Sequence, residues 1–413
     1  MNEKEVITST VNNFGNAITK IDNKVVFVEK ALQDETLKIQ ITKDYKNYQI
    51  AKITKIIKPN KNRIKPVCKY YDKCGGCAFL HTTNEEELSI KENYIKELFK
   101  DYEVKSIVKT NEYNYRNKVT LHIKNKKIGF YQKGTNELVE IDTCHLLKEQ
   151  LNEVIKILKT IDLKDIKEIM IRTNENKDIM IKTTGTIKND DILKILKINN
   201  LKSLYQDDKL IYEEPYIKEN INNIKYTIYP EAFFQVNKEG MIKLYDLNRK
   251  YAEKGNKLLD LYCGTGTIGI YLSDLYKEVF GIEINKDSIK NAKLNKKLNS
   301  IKNIDFICSD ASNIKEKYDT ITVDPPRVGL SKKVIEKILE IKPEKIIYTS
   351  CNPNTLKRDI KLLEENYCVK EITPVNMFPK TEHIECVALL HRRVLKNKNF
   401  SFCKTKKWYF TKC

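Results

Sequence analysis

One cysteine in the last quarter of the chain stands where a thiol can do chemistry. Cys351 follows the apolar run Ile346–Ser350, which predicts a buried strand, and the turn signal Asn352-Pro353 comes directly after it. The residues beyond the turn predict a helix capped by Asn354 or Thr355. A thiol that faces a helix N-terminus lies in a positive field, so we expect a lowered pKa and a reactive thiolate. The alternative is a cysteine that only packs as a small apolar side chain.

A second group of thiols forms a C-x5-C-x2-C run. Its members are Cys68, Cys74 and Cys77, and two glycines between the last two let the backbone fold tightly. Three thiolates at one centre need a fourth ligand, for which His81 and Cys144 are the nearest candidates. Zinc and an iron–sulfur cluster both suit such soft ligands, so the run predicts a metal centre of one of these two kinds.

A glycine-rich turn predicts a cofactor site. Gly264 and Gly266 follow an apolar strand in a D-x-x-x-G-x-G spacing, which fits the loop that binds S-adenosylmethionine better than a dinucleotide loop. Glu283 ends the next strand, where a carboxylate accepts from ribose hydroxyls, and Asp310 closes the third strand. Asp324 opens the fourth turn, Asp-Pro-Pro-Arg. This turn differs from the Asn-Pro-Pro-Tyr loop that serves methylation of exocyclic amines, so it favours carbon as the methylated atom.

Composition limits the classes of protein that carry these residues. The 413 residues suffice for two to four domains, and 75 Lys and Arg against 56 Asp and Glu give a net charge of +19. That charge suits RNA or DNA, although a compositional bias of the genome is an alternative source of lysine. No apolar run is long enough to span a membrane and no signal-peptide core is present, so we expect a cytoplasmic protein. Eleven cysteines in such a protein indicate metal binding or catalysis rather than disulfides.

The hydrophobic pattern predicts three kinds of structure along the chain. Residues 1 to about 60 alternate in short bursts, which predicts a small antiparallel barrel of a type that binds RNA, or a β cap without that role. Residues 80 to about 230 mix amphipathic helices with alternating strands, which predicts an α+β domain. In the final third strands alternate with helices, which predicts a doubly wound parallel sheet with its ligand at the carboxyl ends of the strands.

A short stretch of the middle region joins basic and aromatic side chains. Tyr115, Arg116 and Lys118 form a patch of the kind that holds phosphates and stacks bases. The alternative is a solvated strand face without a ligand.

Taken together, the chain resembles the RNA uracil-C5 methyltransferases, and most closely the branch with an N-terminal TRAM barrel and a [4Fe-4S] cluster that modifies 23S ribosomal RNA. The resemblance runs from about residue 10 to about residue 393. The motifs that carry it are Cys68-x5-Cys74-Gly-Gly-Cys77 with Cys144, Tyr115-Arg-Asn-Lys, Phe233-Phe-Gln-Val-Asn237, Asp260-Leu-Tyr-Cys-Gly-Thr-Gly, Asp324-Pro-Pro-Arg-x-Gly329, Ser350-Cys-Asn-Pro353 and Phe378-Pro-x-Thr-x-His-x-Glu385.

The resemblance implies a mechanism and a role for each matching residue. Cys351 would add to C6 of a uracil that has left its stack, which makes C5 nucleophilic towards the methyl group, and Glu385 would then remove the C5 proton. Four cysteines would hold the [4Fe-4S] cluster, and His81 drops out as a ligand. The implied cluster ligands are Cys68, Cys74, Cys77 and Cys144. The implied cofactor residues are Gln235, Tyr262, Gly264, Glu283, Asp310 and Asp324.

We therefore expect an α/β protein with three domains. These are a TRAM-like RNA-binding barrel (1–60), a central α+β domain with the iron–sulfur cysteines (61–230) and a Rossmann-like methyltransferase domain (231–394); a basic, flexible tail (395–413) follows. We expect a monomer that acts on 23S ribosomal RNA. The alternatives are the same reaction on the T-loop uridine of transfer RNA, and a non-catalytic iron–sulfur protein that binds RNA.

Overall fold

A computed structural model describes residues 3–393, so the predicted tail lies outside the described residues.

The N-terminal strands form a closed five-stranded unit. The strands are β1 (Lys4–Ile7), β2 (Asn16–Ile21), β3 (Lys24–Glu29), β4 (Thr36–Asp44) and β5 (Tyr48–Lys58), in the order β1-β4-β5-β3-β2. Ser9 donates from its backbone N–H to the carbonyl of Ile18 (2.7 Å), which joins the two edges of the sheet. The expected antiparallel pattern is wrong at one pair, because β3 and β5 run parallel.

A buried carboxylate attaches this barrel to the next segment. The side chain of Glu35 is fully buried, and its Oε2 accepts from Arg63 Nη2 at 2.7 Å. The same carboxylate accepts from the backbone N–H groups of Leu32 (2.8 Å) and Asn60 (3.1 Å). Arg63 also donates to the carbonyl of Lys30 (2.9 Å). Because a buried charge is costly unless it is paired and hydrogen-bonded, this network fixes the barrel against the chain that leaves it.

The middle of the chain forms a seven-stranded mixed sheet with helices against it. The order is β12-β11-β10-β9-β6-β7-β8, in which only β10 and β11 pair in parallel. The strands are β6 (Lys118–Lys124), β7 (Lys127–Tyr131), β8 (Leu138–Glu140), β9 (Ile166–Thr173), β10 (Ile179–Gly185), β11 (Leu201–Gln206) and β12 (Lys209–Glu213). The helices that pack against this sheet are α2 (Glu149–Leu158) and α3 (Asn189–Ile195), whereas α1 (Asn84–Leu98) packs against the sheet of the final third. A separate hairpin follows, β13 (Ile217–Ile221) and β14 (Ile224–Ile228).

The final third is a seven-stranded sheet covered by helices on both faces. Its order is β17-β16-β15-β18-β19-β21-β20. The strands are β15 (Gly255–Leu261), β16 (Tyr276–Glu283), β17 (Ile304–Cys308), β18 (Thr320–Val323), β19 (Lys345–Ser350), β20 (Tyr367–Val375) and β21 (Glu385–Arg392). The helices are α4 (Lys238–Ala252), α5 (Thr267–Leu272), α6 (Lys286–Leu298), α7 (Lys332–Ile341) and α8 (Pro353–Leu363).

The last strand departs from the predicted parallel sheet. β21 runs antiparallel to both β19 and β20. A parallel neighbour needs a crossover connection, usually a helix, whereas β20 and β21 are joined only by the loop of residues 376–384. The chain therefore turns back on itself, and the start of β21 lies at the same edge of the sheet as the carboxyl ends of the parallel strands.

Two large apolar clusters occupy the two faces of this sheet. One packs α4, α5 and α6 together with the β13–β14 hairpin, and the other packs α1, α7 and α8. A third cluster fills the central domain between its sheet and helices α2 and α3. Among residues 3–393, no helix is long and apolar enough to cross a membrane.

Candidate active site and cysteine cavity

Cys351 lies in the turn between β19 and α8. Pro353 is the first helical residue, where its missing N–H is not needed, and the side chain of Asn352 accepts from the N–H of Asn354 at 3.1 Å. Asn352 is therefore the helix cap, and the prediction of Asn354 or Thr355 is wrong. The amide of Asn352 also donates to the carbonyl of Arg327 (3.0 Å), which ties this turn to the turn after β18.

The pairing of β19 with β21 brings Glu385 next to Cys351. In this antiparallel pair Ser350 is opposite Cys386. Cys351 comes one residue after Ser350 and Glu385 one residue before Cys386, so the same register sets these two side by side. Residues opposite each other in such a pair have Cα atoms about 4.5–5.5 Å apart. Two residues that are far apart in sequence thus meet at one edge of the sheet.

Three acidic side chains share this region and are held partly or fully out of water. Asp260 and Glu385 are buried, and Asp324 is half-buried. Loss of hydration raises the pKa of Asp324 to about 7, and the neighbouring Asp260 adds to the rise. Loss of hydration and then the charge of Asp324 raise the pKa of Glu385 to about 8, against the opposing effect of Arg327. Burial likewise raises the pKa of Asp260 to about 7. At neutral pH Glu385 is therefore mostly protonated in the free protein, and Asp260 and Asp324 are about half protonated.

The electrostatic surroundings of Cys351 are opposite to those expected from the sequence. Burial, followed by the charges of Glu385 and Asp324, raises the pKa of the thiol to about 11, although Arg327 opposes the rise. The prediction of a lowered pKa is wrong for the free protein, because the helix N-terminus is outweighed by desolvation and two acidic neighbours. At neutral pH a thiolate here therefore needs positive charge or a proton acceptor nearby to compensate.

The glycine-rich turn borders a narrow cleft beside these acids. Gly264 and Gly266 have φ angles of +52° and +79°. A Cβ atom on Gly266 would lie 2.5 Å from the ring of Phe306, whereas one on Gly264 would meet nothing within 4 Å. Gly266 is therefore needed for packing, and Gly264 exposes the backbone to the cleft. The cleft, of about 30 Å³, is lined by Phe233, Phe234, Gln235, Tyr245, Asp260, Tyr262, Cys263, Gly264, Thr265, Thr267, Ile268 and Asp324.

The other two predicted cofactor residues lie beside the cleft rather than in its lining. Glu283 accepts from the backbone N–H groups of Gly264 (3.3 Å) and Asn285 (2.8 Å), which links the first two turns of the sheet. Asp310 accepts from the N–H of Ser312 at 2.8 Å. Burial raises the pKa of Tyr262 to about 12, and the carboxylates of Asp310, Asp359 and Glu283 add to this rise. Tyr262, which lines the cleft, is thus close enough to both carboxylates to feel their charge.

The four predicted cluster ligands surround one cavity in the central region. Its volume is about 480 Å³, and its lining includes Cys68, Cys74, Cys77 and Cys144. Burial raises the pKa of three of these thiols, and in each case neighbouring thiols add to the effect. Among residues 3–393, no three metal-ligating side chains converge on the position of a single ion. The structure thus brings the four thiols to one cavity, and thiolates are ligands that both soft metal ions and iron–sulfur clusters use.

His81, the other candidate for the fourth ligand, has a different environment. Its ring Nδ1 lies 2.6 Å from the hydroxyl of Tyr71, and the ring is not part of the cavity lining. Burial, and then the charges of Arg63 and Lys30, lower the pKa of His81 to about 3. His81 is thus a neutral, buried ring beside the cysteine segment.

The predicted basic and aromatic patch is not a surface patch. Tyr115 is only 4% exposed, and its hydroxyl donates to the carbonyl of Pro379 at 3.0 Å. A buried ring cannot stack on a base, so that prediction is wrong for Tyr115. Arg116 and Lys118 line the cysteine cavity instead. Burial, with the charge of Arg172, lowers the pKa of Lys118 to about 8.

Two further residues, Asp260 and Arg327, shape the site, although their sequence positions indicated no separate role for them. Asp260 accepts from the N–H of Gly269 (2.8 Å) and the hydroxyl of Thr322 (3.0 Å), and it raises the pKa of Asp324. Arg327 opposes the pKa shifts of Glu385 and Cys351 and lies 3.4 Å from His383 Nε2. Both residues belong to motifs that the sequence shows. Their effects on neighbouring pKa values depend on the folded structure and could not be predicted from those motifs.

Comparison with known proteins identifies the family. The profile of tRNA (uracil-5-)-methyltransferases matches residues 176–318 and 313–393, and the TRAM domain profile matches residues 2–54. The chain belongs to the tRNA (uracil-5-)-methyltransferase family. It is an RNA (uracil-5-)-methyltransferase that uses S-adenosylmethionine and acts on RNA, and the alternative of a non-catalytic RNA-binding protein is wrong.

Individual relatives extend over nearly the whole chain. A protein named as an RNA methyltransferase from Oceanobacillus iheyensis is 32% identical, covering 94% of this chain and 97% of the relative. Another from Clostridium tetani is 35% identical, covering 91% and 93%. The crystal structure of the Pyrococcus abyssi tRNA (uracil-54, C5)-methyltransferase in complex with S-adenosyl-L-homocysteine is similar with a TM-score of 0.80 at 24% identity. It covers 94% of this chain and 100% of its own, and it shows a shared fold.

The raised pKa values predict how methylation depends on pH. Cys351 and Glu385 both gain their charge only as pH rises, the carboxyl group near 8 and the thiol near 11. In the mechanism that the resemblance implies, a thiolate is the nucleophilic form of Cys351 and a carboxylate the basic form of Glu385, so kcat/KM of the methyltransferase should increase from pH 6 to pH 9. Circular dichroism over the same range controls for unfolding. A plateau that begins at pH 6 would contradict the shifts.

Proposed function

We propose that this protein methylates C5 of a specific uridine in 23S ribosomal RNA through a covalent bond between Cys351 and C6. The observation that carries the proposal is the register of β19 and β21, which sets Cys351 beside Glu385. Asp324 acts on the pKa of both residues and also lines the cleft at the glycine-rich turn. One edge of the sheet thus carries a nucleophile, a base and a cofactor cleft. These suit a reaction in which a thiolate adds to C6, a methyl group is transferred to C5, and the C5 proton and the thiolate are then eliminated.

The chemistry requires two groups because C5 of uracil is a poor nucleophile. The Cys351 thiolate adds to C6, and the electron pair of the C5–C6 bond moves into an enolate whose C5 carbon is nucleophilic. S-adenosylmethionine supplies the methyl group. The Glu385 carboxylate then takes the proton from C5, the C6–S bond breaks and the thiolate leaves. The raised pKa of Glu385, about 8, makes its carboxylate a stronger base than an ordinary glutamate.

The residues around the cleft suit the cofactor. Gln235 and Tyr262 line the cleft, so they would contact the methionine part, with the ring of Tyr262 packing against it. Glu283, at the end of β16, would accept from the ribose hydroxyls, and Asp310, after β17, would lie at the adenine end. Asp324 would lie between cofactor and base. Gly264 would let the cofactor approach the backbone.

The cysteine cavity suits a [4Fe-4S] cluster. Cys68, Cys74, Cys77 and Cys144 would be its four ligands, and the cluster would supply a structural link between the segment before α1 and the segment before α2. A role in the reaction is not part of the proposal, because four cysteine ligands leave no open iron position for a substrate.

The first test separates the two catalytic roles. Cys351→Ala should abolish both methylation and any protein–RNA adduct, because no other group adds to C6. Glu385→Gln keeps the size of the side chain but accepts no proton, so a methylated adduct should accumulate as a shifted band on a denaturing gel. Cys308→Ala removes an exposed thiol of the same domain and serves as the matched control. Normal turnover by Cys351→Ala would overturn the mechanism.

The cluster is tested by purification without oxygen. The protein should be brown, with broad absorbance near 400 nm of the order expected for thiolate-to-iron charge transfer, and it should contain iron and acid-labile sulfide. Cys144→Ser should lower the iron content, whereas Cys308→Ser should not. Stoichiometric zinc in a colourless protein would contradict the cluster.

The target RNA has two candidates. The cysteine set favours ribosomal RNA through the resemblance of the sequence, whereas the similar Pyrococcus abyssi structure is a tRNA enzyme. Its coverage of 94% of this chain includes the barrel, so the barrel does not separate the two targets. We expect 5-methyluridine to disappear from 23S ribosomal RNA, and not from transfer RNA, when the gene is deleted. Loss from transfer RNA alone would assign the second candidate.

A further inference from the structure

The loop that leads into Glu385 comprises residues 376–384, and hydrogen bonds from the rest of the protein hold its first five residues. Each carbonyl of residues 376–380 accepts at least one hydrogen bond from a side chain or a backbone N–H elsewhere in the chain. Thr381 is the only one of these donors that belongs to the same loop. The donors are Thr110 Oγ1 to Asn376 O (2.7 Å), Asn237 Nδ2 to Met377 O (2.9 Å), Lys91 Nζ (3.3 Å) and Thr381 Oγ1 (2.8 Å) to Phe378 O, Tyr115 Oη to Pro379 O (3.0 Å), and the N–H groups of Ala78 (2.8 Å) and Phe79 (3.1 Å) to Lys380 O. Surface loops rarely carry such a complete set of distant partners.

Lys380 is the most constrained residue of this loop. Its φ angle is +64°, in the left-handed region that favours glycine, and its side chain is fully buried. Its N–H donates to Glu87 Oε1 at 2.8 Å, and its ammonium group lies 2.8 Å from Glu112 Oε2 and 3.3 Å from Glu87 Oε2. A strained backbone at a buried ion pair persists only where the surroundings enforce it, and such strain concentrates at functional sites.

Glu87 joins two lysines to the loop from helix α1. Its side chain is fully buried, and Oε1 accepts from Lys91 Nζ at 2.8 Å. Lys91 in turn donates to Asn376 Oδ1 (2.8 Å). Two buried lysines thus balance their charges with the buried Glu87 and the partly exposed Glu112, and each lysine holds one end of the loop segment 376–380.

We propose that this loop clamp, formed by Glu87, Lys91, Tyr115 and Lys380, positions the Glu385 carboxylate for removal of the C5 proton. The inference rests on the proposed function, because Glu385 must be the base. Proton transfer depends on reach and alignment, and a displacement of about 1 Å is enough to cost about 100-fold in rate. Since Ala78 and Phe79 directly follow Cys77, the clamp also connects the cysteine segment to the base.

The test uses two matched tyrosines. Tyr115→Phe removes the bond from a buried hydroxyl to the carbonyl of Pro379 (3.0 Å), and Tyr367→Phe removes an equivalent bond to the carbonyl of Pro343 (2.9 Å) at the far end of β20. Lys380→Met is the stronger variant. For each protein, rapid-quench measurements give the rate at which the RNA adduct forms and the rate at which it resolves to product.

We expect Tyr115→Phe to slow resolution of the adduct about tenfold and Lys380→Met to slow it further, with adduct formation within about twofold of the unsubstituted protein. With RNA that carries 5-fluorouridine, whose C5 has no proton to lose, all variants should form adduct equally fast. Tyr367→Phe should leave both rates unchanged.

Failure of the clamp and failure of the proposed function give different results. Equal slowing of formation and resolution in Tyr115→Phe, or unchanged resolution in both Tyr115→Phe and a folded Lys380→Met, would overturn the clamp. Absence of any adduct with the unsubstituted protein and 5-fluorouridine RNA would instead overturn the proposed function itself.

Discussion

The antiparallel pairing of β19 with β21 is the constraint on which the active site depends. Parallel strands alone would align Asp260, Asp324 and Cys351 at their carboxyl ends, since each follows or ends a strand that points the same way. Glu385 begins its strand, so it reaches this edge only because β21 runs in the opposite direction. The short loop before it forces that direction. The reversal of one strand therefore supplies the proposed base.

Placing several acids in this enclosed edge has an energetic consequence. A pKa change of one unit corresponds to about 1.4 kcal/mol between the two protonation states. Asp260, Asp324 and Glu385 have raised pKa values of about 7, 7 and 8, so the folded state binds protons that the unfolded chain has already lost. Their contribution to stability is present below the unfolded pKa values, near 4, and is lost as pH rises towards 8. At neutral pH these buried carboxyl groups therefore lower the free energy of unfolding, and their raised pKa values make their carboxylates stronger bases.

The sequence predicted the elements and motifs better than it predicted their surroundings. Glycine spacing, the acidic ends of β16 and β18 and the cysteine run were readable because each is a local pattern. The direction of β21, the burial of Tyr115 and the raised pKa of Cys351 were not. Each of these depends on a partner far away in sequence: β19, Pro379 and Glu385 respectively. The position of the helix cap at Asn352 was readable in principle, since proline is favoured at the first helical position.

Long-range partners also explain why dispersed motifs belong together. The segment after Cys77, Tyr115 and Asn237 are separated along the chain, yet each donates hydrogen bonds to the loop before Glu385. Asn237 also caps α4 through the N–H of Gly240 (3.1 Å), so one side chain fixes both a helix start and the carbonyl of Met377. A substitution in any of these motifs would therefore disturb the others. The central domain thus contributes to the proposed active site, because it holds the loop that leads to Glu385 in the sheet of the methyltransferase domain.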